Sequence, residues 1–107
     1  MGPFLIMDIK ELEAKMHQFV ASKGWYDADS KKEQSPKNLA ISLVLEASEV
    51  LEHFQWVGEV KEKDELAGEL ADVGLYLLQL ASVTGIDLEQ AILDKLDVNR
   101  DREWPDP

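Results

Sequence analysis

Apolar residues recur at helical spacing in four stretches of the chain, and nowhere does a strand-like alternation persist. In the first stretch Ile9, Leu12, Met16, Phe19 and Val20 share a face, Asp8 stands as an N-cap and Lys23-Gly24 closes it, which predicts a helix over residues 8–22. The second begins at Pro36 or Lys37, proline being suited to a first turn, and runs to about Val57 before Gly58. The third has Asp64 placed as N-cap, carries Leu66, Leu70, Val73, Leu77 and Leu80, and reaches Thr84, with Gly85 as its stop. Ala67, Ala71, Gly74 and Ala81 on the same helix are small enough for a neighbour to approach closely. In the fourth, capped by Asp87, the apolar positions are Leu88, Ala91, Ile92 and Leu96. The polar stretch 25–35 has no period and reads as a loop, long for one joining two helices.

The expected fold is therefore all-α, about four helices in a bundle, as one domain over residues 1–107. Residues 1–7 are read as a non-native or flexible leader, with Met7 as the natural start, and 103–107 as an irregular tail. The two central helices are each about 20 residues, roughly 30 Å long, and so short a chain has too few partners to cover both. A homo-oligomer is expected, either a dimer or a dimer of dimers.

Polar positions on those two helices are as regular as the apolar ones. Asn38, Ser42, Glu46, Glu49, His53 and Trp56 fall in one stripe about 80° wide, beside Leu43, Val50, Phe54 and Val57. Ser48 and Glu52 lie on the opposite, solvated side. Glu65, Glu69, Asp72 and Tyr76 make a matching stripe on the third helix, again bordering its apolar band. Two i, i+3 acid pairs thus lie at core edges, with nineteen residues between Glu49 and Glu69. Carboxylates there are costly to desolvate and repel one another, and a divalent cation resolves the conflict. Oxygen ligands without cysteine favour magnesium, with manganese as the alternative, over zinc. Acids on amphipathic helices are ordinarily solvated, but here they border the apolar bands and not the outer face.

Charge narrows the partners. With 11 basic against 22 acidic residues the formal balance is −11, which argues against a nucleic-acid polymer or an anionic membrane as partner. Cysteine is absent, as suits a reducing, cytoplasmic setting, and no uninterrupted apolar run approaches the roughly 20 residues of a membrane span. The few basic residues are placed suggestively. Lys95, Asn99 and Arg102 line one face of the fourth helix, either to hold a phosphate chain or to complement the helix dipole; for Arg100 the dipole is the better reading. Lys37 and Asn38 stand at the positive end of the second helix. Trp25 and Tyr26 open the loop, where the tryptophan either covers a ligand or plugs the core.

The segments PKNLAISLVLEASEVLEHFQW, ELAGELADVGLYLLQLA and KLDVNRDREWP together resemble the MazG-like nucleoside triphosphate pyrophosphohydrolases, in particular their dCTP pyrophosphatase-like branch. The family pattern is E-E-x-x-E, a spacer, then E-x-x-D. Leu45 stands where the pattern has its first Glu, and the loop from Trp25 matches less well. The resemblance implies Glu46, Glu49, Glu69 and Asp72 as magnesium ligands, Trp56 and Tyr76 near the base or sugar, and Lys95, Asn99 and Arg102 near the phosphates. The residues themselves add Glu49, central in its stripe, as the proton acceptor with Glu46 beside it in catalysis, Trp25 as a further wall for the base, and Lys37 and Asn38 as phosphate contacts from the start of the second helix. The expected reaction splits a nucleoside triphosphate, dCTP-like, into monophosphate and pyrophosphate. Two rivals are a di-iron bundle, which wants Glu-x-x-His pairs that the two histidines, His17 and His53, do not form, and a non-catalytic helical interaction module.

Overall fold

The computed structural model describes residues 7–55 and 62–103, and these form four helices and no strand: α1 Ile9–Ser22, α2 Pro36–Glu52, α3 Lys63–Val83 and α4 Leu88–Asp101. Trp56, Val57 and Gly58 lie outside the described residues, as do 1–6 and the end of the tail.

Local chemistry explains most helix ends. Asp8 accepts from the Glu11 amide at 2.8 Å, Ser35 from the Asn38 amide at 3.2 Å, and Asp87 from the Gln90 amide at 3.0 Å. Gly24 and Gly85 adopt φ of 72° and 75°, a region that favours glycine. The following amides turn back onto the helix, Trp25 to Val20 O and Ile86 to Ala81 O, which closes α1 and α3 in the same way. Two expectations are corrected. Asp64 lies inside the first turn of α3, where its charge suits the dipole, and the cap is Glu62, whose side chain makes no capping bond. α2 ends at Glu52, short of Val57, because its last turn tightens: His53 and Phe54 bond to Val50 O and Leu51 O, three residues back.

The main packing is α2 on α3; α1 packs on α3 as well, and α4 touches it lightly. Between them lies a small core of Met16, Val20, Leu39 and Ala81. Much of the remaining apolar surface is open, including Val44 at 67%, Leu51 at 68% and Leu70 at 52%. Of the apolar positions expected to bury α4, Ile92 and Leu96 are exposed, since among the described residues α4 packs only lightly, on α3. The radius of gyration, 16.8 Å, exceeds the roughly 13 Å of a compact chain of this length. The accessible surface of 8650 Å² likewise exceeds the roughly 6,000 Å² expected for this mass.

By length and composition α3 could cross a bilayer, although no uninterrupted apolar run could. Glu69 and Asp72 interrupt it, and it serves as the element on which the other three helices pack.

Candidate active site

Packing of α2 against α3 brings the two acid pairs together. Glu46 and Glu49 are one turn apart on α2, and Glu69 and Asp72 one turn apart on α3. Glu46 records the convergence: burial first, then the negative charges of Glu49, Asp72 and Glu69, hold its carboxyl above the ordinary glutamate value near 4.5. Its Oε2 is shielded from water and has no hydrogen-bond partner. An oxygen desolvated, unpaired and facing three like charges is costly to keep ionised.

At Glu69 the chain relieves the repulsion itself. His53 Nε2 donates to Glu69 Oε2 at 2.9 Å, and the two side chains are only 13% and 29% exposed. The other histidine, His17, bonds Tyr26 OH and Ser82 Oγ, so neither serves the di-iron pattern. Among the described residues no group of three or more carboxylates or imidazoles is arranged so that it could hold a metal ion as it stands. The four acids are close enough for their charges to act on one another at Glu46.

The raised Glu46 carboxyl sets a sign for stability against pH. A group whose folded value lies above its unfolded one adds stability at low pH and loses it as pH rises through the folded value. Without metal, Glu46→Gln should therefore melt higher than the parent at pH 7, with the gap closing toward pH 4. Calorimetry in EDTA reads this directly; a variant melting at or below the parent at pH 7 would contradict the electrostatic account.

From this acidic end a cavity of about 810 Å³ runs between α1, α2, α3 and the 25–35 loop. Glu46 and Asp72 line it beside Asn38, Ser42 and Tyr76, and Leu39 joins them. Phe19 and Trp25 form an aromatic corner, edge to face with centroids 5.7 Å apart. The helix-closing bond of the Trp25 amide is what seats that ring against Phe19. Lys32 Nζ lies 4.8 Å from the Trp25 centroid, and Lys15 and Lys31 also line the space. One end thus attracts cations and the other offers ring faces and N–H donors.

Trp25, Asn38 and Tyr76 line the same cavity as Glu46 and Asp72. Asn38 also clamps the loop, its Nδ2 donating to Glu33 O at 3.0 Å. Lys37 is exposed and does not line the cavity. Lys95, Asn99 and Arg102 do not line it either, because α4 is only lightly docked on α3. Trp56 is outside the described residues. Sequence reasoning missed Lys15, Lys31, Lys32, Gln34 and Gln79. For Gln79 a signal existed, since it follows Tyr76 by three and Asp72 by seven and so extends their stripe.

Residues 41–105, which contain both acid pairs, match the MazG-like family. The chain belongs to that family. A crystal structure of a pyrophosphatase from Archaeoglobus fulgidus is similar to this MazG-like chain with a TM-score of 0.77 and 33% identity, covering 96% of this chain and 97% of that one. The dCTP pyrophosphatase 1 of Mus musculus is 36% identical over 104 residues, 89% of this chain and 56% of its own length. That of Homo sapiens is 38% identical over 107 residues, 92% and 58% respectively. The chain thus spans a little over half the length of these curated relatives.

Proposed function

We propose that this MazG-like protein is a magnesium-dependent nucleotide pyrophosphohydrolase, converting a deoxynucleoside triphosphate, dCTP or one like it, to the monophosphate and pyrophosphate. The observation that carries the reading is the convergence of the negative charges of Glu49, Asp72 and Glu69 on Glu46, whose Oε2 is shielded from water and has no hydrogen-bond partner, at one end of an aromatic-lined cavity. The names of the two dCTP pyrophosphatases and the Archaeoglobus pyrophosphatase support the substrate class. A non-catalytic helical module would leave that strained carboxyl unexplained.

The four carboxylates are hard oxygen donors and suit magnesium, or manganese, better than zinc. Glu46, Glu49, Glu69 and Asp72 would hold such an ion, which would neutralise phosphate oxygens and lower the proton affinity of a water. Glu49, whose exposed carboxylate stands one turn from Glu46, would accept the proton of the water that attacks the α-phosphorus. Tyr76 and Trp25 wall the base, and Asn38 lies near the sugar or phosphates. The open apolar faces of α2 and α4 are covered by further copies of the chain, as a dimer or dimer of dimers, and α4 thereby presents Lys95, Asn99 and Arg102 to the phosphates of an assembled site. A cytoplasmic nucleotide pool fits a chain with no cysteine.

Screening canonical and modified dNTPs with magnesium and with manganese tests the proposal. Pyrophosphate and monophosphate should appear in equal amounts, with no free phosphate, and EDTA should abolish them. Millimolar magnesium plus a substrate nucleotide should also raise the melting temperature. If no nucleotide is turned over and none shifts the melting temperature, the enzymatic reading fails.

A further inference from the structure

Gln79 is the buried polar side chain of the described core, 3% exposed, and the chemistry above gives it no task. Its amide is committed to the loop between α1 and α2. Nε2 donates to Gln34 Oε1 at 2.7 Å and to Tyr26 OH at 3.2 Å, contacts that span 45 and 53 residues of sequence. Gln34 passes the restraint on: its own Nε2 donates to Lys32 O at 2.7 Å, and Lys32 reaches over Trp25. Tyr26 is in turn anchored on His17 of α1, which bonds Ser82 of α3 at 2.7 Å.

The location gives these bonds a consequence. Gln79 follows Asp72 by seven residues, so it lies on the same face of α3, about 10 Å further along. A single amide therefore links the helix that carries an acid pair to both ends of the loop that carries Trp25 and Lys32. We propose that Gln79 is a positioning residue, clamping the 25–35 loop onto α3 and so fixing the width of the cavity where the nucleotide base is held. The assignment of a nucleotide rests on the proposed function; the clamp itself does not. Its effect falls on nucleotide affinity, and the attack at the acidic end proceeds as before once the nucleotide is seated.

Gln79→Met keeps the length of the side chain and removes both donors. Gln34→Met, in the loop, breaks the shared bond without touching α3 and serves if the first variant folds poorly. In metal-free full-length protein, hydrogen exchange over 25–35 should quicken roughly tenfold in each single variant, with α2 unchanged. KM for the preferred nucleotide should rise roughly tenfold while kcat stays within about threefold, and the double variant should lose clearly less than the two single effects combined, because the two share a contact. Parent-like exchange in the loop of Gln79→Met, or additive losses in the double variant, would overturn the clamp. If exchange quickens but no nucleotide is ever hydrolysed, the clamp stands and the pyrophosphohydrolase reading is what fails.

Discussion

Glu49→Gln should lower metal-dependent pyrophosphate release by about 10³-fold while the helices stay folded. The substitution is isosteric, lies in the interior of α2 and changes an exposed side chain, so the packing of α2 on α3 has no reason to alter. What changes is charge. Glu49 is the largest of the three like charges acting on Glu46, and its removal lets the Glu46 carboxyl fall back toward its ordinary value. The metal-free variant should therefore melt at or slightly above the parent, but gain less from added magnesium. Loss of both a cation ligand and a proton acceptor reduces turnover, whereas loss of a mere surface charge changes almost nothing, within about 0.5 kcal/mol and with no effect on rate. Pyrophosphate release and melting with and without magnesium separate these outcomes, and full turnover by the variant would refute the role given to Glu49.

The largest effect on stability is expected at Leu39→Ala. Leu39 is 2% exposed, one of four buried apolar side chains among the described residues, and it sits in the first turns of α2, where its amide closes the first helical bond to Ser35 O at 2.9 Å. Truncation removes the buried side chain and leaves a void beside the existing cavity, a change that costs about 3 kcal/mol in well-packed sites. In a domain of this length that is a fall of roughly 12–20 °C in melting temperature. The same melts, repeated across protein concentration, examine the covering of α2 and α4 by a second copy. A melting temperature that rises with concentration is expected, and a concentration-independent melt at monomeric mass would remove the oligomer from the proposal.

Helix existence and the acid stripes were readable from local pattern, because both depend on residues three or four apart. Asp8 and Asp87 cap the helices that their spacing to the next free amides implies, and Gly24 and Gly85 end α1 and α3 where a positive φ is required. The family resemblance drawn from the acid pairs and their flanks agrees with the match over residues 41–105. Where local signals competed, the sequence misled. Asp64 looks like a cap, yet α3 begins a residue before it, since Asp64 also serves the dipole from inside the first turn.

The chain by itself thus determined four helices, the starting caps of the first and last, and the sides on which the carboxylates lie, for each is written within one or two turns. Tertiary structure alone decided that His53 would bond Glu69 across 16 residues, that Gln79 would hold Gln34 across 45, and that Lys15 and Lys32 would share a cavity with Asp72. It also decided that the basic face of α4 stays away from that cavity within one chain. The physical reason is that such meetings depend on how rods cross and where a loop is tied, and helical periodicity carries no information about either.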